Sequence, residues 1–170
     1  MKIPHDPEEI LPVVDNQDKI NGKSTRKEIH AKGQLHREVG IFITSSNKIL
    51  LQKRADNKKW DTSCAGHVGI HQTYLKAAIR ELEEELDIRL KEQELHYLGK
   101  ELLFHTGSKI NNRFVTVYHF HTTQEKFNID KQEILKVQWF TVQDIHNIPD
   151  LEITSGCKEL LKKYLSLLIS

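Results

Sequence analysis

Glu81, Glu84 and Glu85 fall at i, i+3 and i+4 within the run Arg80-Glu81-Leu82-Glu83-Glu84-Glu85. At about 3.6 residues per helical turn, that spacing sets three carboxylates on one face. Like charges at this spacing repel, and a face built only for stability would interleave lysine. A hard divalent cation with oxygen ligands, Mg2+ or Mn2+, would neutralise the cluster. A solvated acidic face is the other reading that these residues alone leave open. Arg80 adds a guanidinium that can hold a glutamate in one rotamer.

The element that must present these groups is legible around them. Leu75, Ala78, Ile79, Leu82 and Leu86 recur with helical period and predict an apolar stripe packed on a sheet. Thr73 is placed to cap the first turn, and Asp87 to end the helix in left-handed geometry. Cys64 lies in no recognisable nucleophile setting and reads as a buried thiol. His67 and His71 are four apart, but Gly69 between them argues for loop histidines rather than a helical zinc pair. Trp60 reads as the edge of a core or a surface for stacking a base.

The flanking segments predict a mixed α/β chain. Leu11–Val14, the turn Asp15–Asp18 and Lys19-Ile20 read as a hairpin, and Arg26–Gly33 as a helix or loop. Strands are expected over Glu38–Thr44 and Ile49–Gln52, flanking the turn Ser45-Ser46-Asn47. A polar loop, Ala55–Asp61, leads into Thr62–Val68. Further strands are expected over Leu95–Phe104, Phe114–His121 and Ile134–Phe140, with a helical turn over Val142–His146. An amphipathic helix closes the chain within residues 156–170. With 170 residues and no repeat or credible linker, one domain over 1–170 is expected.

Composition bounds the partners. Hydrophobic residues make up 38% and charged residues 29%, with a net charge of +1, so neither DNA nor a membrane surface is expected. The first residues, Met1 to Pro7, hold no apolar leader core, and no run approaches the roughly eighteen apolar residues of a membrane span. Two cysteines, Cys64 and Cys157, give no disulfide framework, so a cytoplasmic location is expected. A monomer or homodimer is expected, and the sequence leaves that choice open.

From Gly66 to Ile88 the chain resembles the Nudix box. Gly66, Arg80, Glu81, Leu82, Glu84, Glu85 and Ile88 stand at pattern positions, while Gln72 replaces the first glutamate and Asp87 a glycine. The runs His36-Arg37-Glu38-Val39, Ile49–Arg54 and Trp60–Val68 are similar to the Nudix subgroup related to isopentenyl-diphosphate isomerase. The resemblance implies an α/β/α sandwich with a mixed curved sheet, carrying an N-terminal hairpin extension over 1–33 and the box over 66–88.

It also implies a Mg2+-dependent pyrophosphohydrolase acting on a small-molecule nucleoside diphosphate joined to another group. Glu81, Glu84 and Glu85 would hold the metal, Mg2+ or Mn2+, and Glu84, Glu81, Arg80 and Glu133 would serve catalysis. Arg54, Lys58, Gly66 and His67 would meet the substrate, the basic side chains holding diphosphate oxygens. His30, His36 and His67 fall near three histidines that bind a second metal in the isomerase. The isomerase-type cysteine position is Ala65 here, and its two glutamates before a central strand are replaced by Asn111 and Arg113. The acid–base pair of an isomerase is therefore missing. Gln72 offers a weaker neutral oxygen than a glutamate, which leaves a ligand-binding protein with impaired catalysis as the alternative.

Overall fold

The computed structural model describes residues 6–105 and 110–169; residues 1–5, part of the segment read for a leader, lie outside the described residues. The hairpin β1 (Ile10–Val14) and β2 (Ile20–Thr25) forms a small sheet of its own. Helix α1 (Arg26–Lys32) follows, settling the helix-or-loop alternative. Thr25 caps its start, and Gly33 ends it at φ 64, a left-handed turn where an added Cβ would stand 3.0 Å from Ile110.

A seven-stranded sheet follows: β3 (His36–Ser45), β4 (Lys48–Arg54), β5 (Trp60–Asp61), β6 (Cys64–His67), β7 (His96–Leu103), β8 (Arg113–His121) and β9 (Ile134–Phe140). The order β5-β4-β3-β8-β7 is mixed, with β3 and β8 parallel at the centre. One edge of β3 is shared. Residues Glu38 to Ile41 pair with β6, and Ile43 to Ser45 pair with β4. That split lets β6 deliver Gly66 and His67 directly to α2 (Tyr74–Leu86). Trp60 and Asp61, expected in a loop, pair with Lys53 and Gln52 as the short β5.

Two cores lie on opposite faces of the sheet. Val39, Ile41, Ile43 and Tyr118 pack with Ala77, Ala78, Leu82 and Leu86 of α2. Phe42, Val115 and Val117 pack with Cys157, Leu160, Leu161 and Tyr164 of α4 (Ser155–Leu168), beside α3 (Val142–His146). Both faces of β8 are covered, so its alternating side chains feed two cores rather than a core and solvent. This is the α/β/α sandwich that the resemblance implies. Trp60 belongs to the second core, edge-on to Phe140 at 4.8 Å.

Candidate functional site

Helix α2 starts where Thr73 accepts a bond from the Lys76 N–H and ends at Asp87, φ 54. Its orientation differs from the predicted stripe. Ala77, Ala78, Leu82 and Leu86 are fully buried, while Leu75 and Ile79 are only partly covered. This turn of the helix carries Glu81 and Glu85 inward to 2% and 3% exposure and leaves Glu84 at the surface. The three box glutamates thus divide into two buried carboxylates and one accessible one.

Arg80 ties two of them together. Its Nη2 meets Glu81 Oε1 and its Nη1 meets Glu84 Oε2, each at 2.8 Å, and Nη2 also donates to the His67 carbonyl at 3.0 Å. The guanidinium therefore fixes α2 to β6 as well as orienting both acids. Gly66 explains the close approach, because a Cβ there would stand 2.0 Å from Glu81 Oε1.

Glu85 faces inward toward Cys64, Gln52 and the loop that ends at Glu133. Gln52 Nε2 stands 3.5 Å from its Oε2, and its backbone carbonyl accepts from Asp130 N–H at 2.9 Å. Burial, and then the Glu81 charge beside it, push the Glu85 carboxyl well above its ordinary range. Glu133 is half-buried, and its charge adds to that push. Cys64 is fully buried, and burial raises its thiol far above the usual value, as suits an inert thiol. An open concavity of about 550 Å³, lined by Lys76, Ile79, Arg80, Glu83, Glu84 and Glu92, borders the accessible carboxylate.

The predicted substrate residues are placed unequally. Arg54 is held by Asp56 through Nε and Nη2, both at 2.9 Å, with Asp61 at 3.5 Å. An incoming phosphate would compete with those aspartates. Lys58 is exposed in the turn after β4, at φ 58. Gln72 accepts the Gly69 N–H at 3.0 Å and so closes the loop before α2.

His67 joins a group that spacing along the chain does not reveal. His30 on α1, His36 on β3 and His67 on β6 bring one ligand atom each within 4.8 Å of one another. Among the described residues this trio, not the box glutamates, is the set so gathered. Glu38 Oε1 lies 3.5 Å from both His36 Nε2 and His67 Nε2. Burial holds His67 well below its ordinary pKa, favouring the neutral imidazole. For Glu38, burial opposes ionisation but is outweighed by Arg113 and the two imidazoles, which hold its carboxyl well below normal. Sequence reasoning missed Glu38. The available signal was its place two residues after His36, which puts both on one face of a strand.

The family model described as NUDIX domain matches residues 34–162. The chain is 33% identical over 145 residues to Nudix hydrolase 3 of Arabidopsis thaliana, covering 76% of this chain and 19% of that protein. It therefore spans about a fifth of that relative. It is 30% identical over 139 residues to the isopentenyl-diphosphate Delta-isomerase of Pectobacterium atrosepticum, covering 78% of this chain and 76% of the other. A Deinococcus radiodurans protein solved by crystallography superposes with a TM-score of 0.76 at 21% identity, covering 91% of this chain and 98% of its own. The fold, the box on α2 and the domain match agree: the chain belongs to the Nudix family.

Proposed function

We propose that this chain is a divalent-metal-dependent pyrophosphohydrolase that cleaves a nucleoside diphosphate joined to another group. The observation that carries the reading is the division of the box acids. Glu81 and Glu85 are both buried, with the Glu81 charge opposing ionisation of Glu85, a costly arrangement without a cation, and Glu84 stands at the accessible edge. An all-oxygen, anionic donor set fits Mg2+ or Mn2+.

Glu81, Glu84 and Glu85 would hold that ion. When bound, it would neutralise phosphate oxygens and lower the pKa of a coordinated water. The chain's own groups do the rest. Arg80 keeps Glu81 and Glu84 in fixed rotamers through its two 2.8 Å contacts, so their charges are preorganised. Glu133, whose charge reaches Glu85, is the general base, taking the proton of the attacking water. Arg54 and Lys58 receive diphosphate oxygens, Arg54 by exchanging an aspartate for phosphate.

The binding-only reading rests on Gln72, whose amide oxygen is engaged by Gly69. An isomerase reading is disfavoured because Ala65, Asn111 and Arg113 stand where the isomerase pattern has a cysteine and two glutamates, which leaves no acid–base pair at those positions. Chromatographic product analysis of nucleoside diphosphate derivatives and isoprenoid diphosphates, with and without Mg2+, tests all three: hydrolysis gives a nucleoside monophosphate and the phosphorylated second group, and isomerisation gives the isomeric diphosphate. Mg2+-dependent turnover that Glu84→Gln abolishes supports the hydrolase. Absence of turnover in the wild type, with activity gained in Gln72→Glu, supports binding alone.

A further inference from the structure

We propose that Asp87 is a positioning residue: through Asn128 it fixes the segment that carries Glu133 against the box helix. Its catalytic consequence rests on the reading of Glu133 as the general base, whereas the latch itself is a matter of local geometry. Asp87 Oδ2 accepts from Asn128 Nδ2 at 3.0 Å, joining the end of α2 to the 122–133 connection between β8 and β9. Two residues on, the Asp130 N–H donates to the Glu85 carbonyl at 2.9 Å. The Asp130 carbonyl in turn accepts from the Glu133 and Ile134 N–H groups, at 3.1 and 2.8 Å. Glu133 thus sits in a turn anchored directly on the box helix. Its own carbonyl accepts the Ala55 N–H at 2.8 Å, which ties the same turn to the segment carrying Arg54 and Lys58.

An acid at position 87 runs against its local setting. Its φ of 54 lies in the left-handed region, where glycine costs least and aspartate is tolerated rather than preferred. A negative charge at a helix C-terminus also meets the negative end of the macrodipole. The last turn of α2 holds Glu83, Glu84 and Glu85 and no basic residue. Both effects disfavour Asp87 within the helix, and its side chain reaches out of the helix to Asn128. The neighbours of Asn128 prepare that contact. Phe127 and Ile129 pack into the core under α2, with the Phe127 ring 6.1 Å from Trp139. The apolar pair seats the connection, and the Asp87–Asn128 pair sets its register on the helix. Both polar side chains are exposed, so water competes for their bond and its weight lies in geometry more than in stability. A residue that breaks a local rule to make a long-range contact is expected where function is served.

The test compares Asp87→Gly, Asp87→Asn and Asn128→Ala with wild type and with Glu133→Gln. Amide hydrogen exchange, thermal melting and kinetics on the diphosphate panel are the readouts. Asp87→Gly should leave the melting temperature unchanged or raise it, because both local costs disappear. Exchange at the Asp130 and Glu133 amides should nevertheless rise about three- to tenfold, the worth of one ordinary hydrogen bond. The kcat should fall by a similar factor with KM little changed. Asn128→Ala should do the same, and the double variant should be no worse than either single one. Asp87→Asn, whose amide oxygen still accepts a bond, should restore both readouts. The proposal is overturned if Asp87→Gly exchanges and turns over as wild type while Glu133→Gln is inactive, or if kcat falls only in step with the melting temperature. If Glu133→Gln turns over as wild type, the base reading fails and takes the catalytic role of the latch with it. Exchange needs neither metal nor substrate, so it decides the latch even where the panel gives no turnover.

Discussion

Gly66 on β6 and Glu81 on α2 share one volume: the glycine Cα faces the carboxylate so closely that a Cβ would stand 2.0 Å from Oε1 and 2.6 Å from Cγ. Both ends are fixed, Gly66 by pairing with Val39 and Glu81 by burial and Arg80. Gly66→Ala should therefore displace the whole Glu81 side chain. A loss of about 1–3 kcal/mol is expected from overpacking, together with at least about a hundredfold drop in kcat/KM. Denaturant melts and initial rates on the substrate found by the diphosphate panel check the pair.

Arg80 holds Glu81, Glu84 and the His67 carbonyl through one planar fork. Lysine carries the charge but not the geometry. Arg80→Lys should lower kcat by about tenfold to a hundredfold while costing less than about 1 kcal/mol of stability. Parallel kinetics and thermal melts would show the split; equal losses in both would make Arg80 a purely structural residue.

Glu85 is an acid whose folded pKa is raised above its ordinary 4.5 by burial and by Glu81. In metal-free protein the Glu85 penalty should be absent below that ordinary value and should grow as pH rises toward the folded pKa, so this group's contribution to stability falls over that range. Glu85→Gln removes the penalty, so the metal-free variant should be more stable than wild type at pH 7, on the order of 1 kcal/mol. Mg2+ should raise the wild-type melting temperature and have little effect on the variant. Melting both proteins from pH 4 to 8 in EDTA and in Mg2+ tests the sign.

Asp18 pins the hairpin to the sheet and to the box helix. Its carboxylate meets Arg37 at 2.7 Å, Lys100 at 2.5 Å and the Tyr74 hydroxyl at 3.0 Å. Burial opposes its ionisation, but those donors outweigh it and hold its pKa below the ordinary 3.8. A depressed acid gives stability that is present above its unfolded pKa and lost as pH falls through the folded one. Asp18→Asn should cost about 1–3 kcal/mol at pH 7. The gap from wild type should close as pH drops below about 4, measured by urea unfolding across that range.

The sequence alone determined what one or two turns of chain decide. Thr73, the alternation of apolar and acidic residues, and Asp87 are enough to define α2, because caps and period act within a few residues. Strand β9 and helix α3 appear at the predicted bounds, Ile134–Phe140 and Val142–His146, for the same local reasons. The box spacing placed Gly66, Arg80 and the three glutamates in one neighbourhood. Only the tertiary structure decided how they divide. The rotation of α2 that buries Glu81 and Glu85 but leaves Glu84 exposed is set by packing of Ala77, Leu82 and Leu86 against the sheet. Likewise, Glu38 meets His67 because β3 and β6 pair in that register, and His30 reaches them because α1 folds back beside Ile110. Register and helix rotation minimise the energy of the whole core, so no short stretch of sequence contains them.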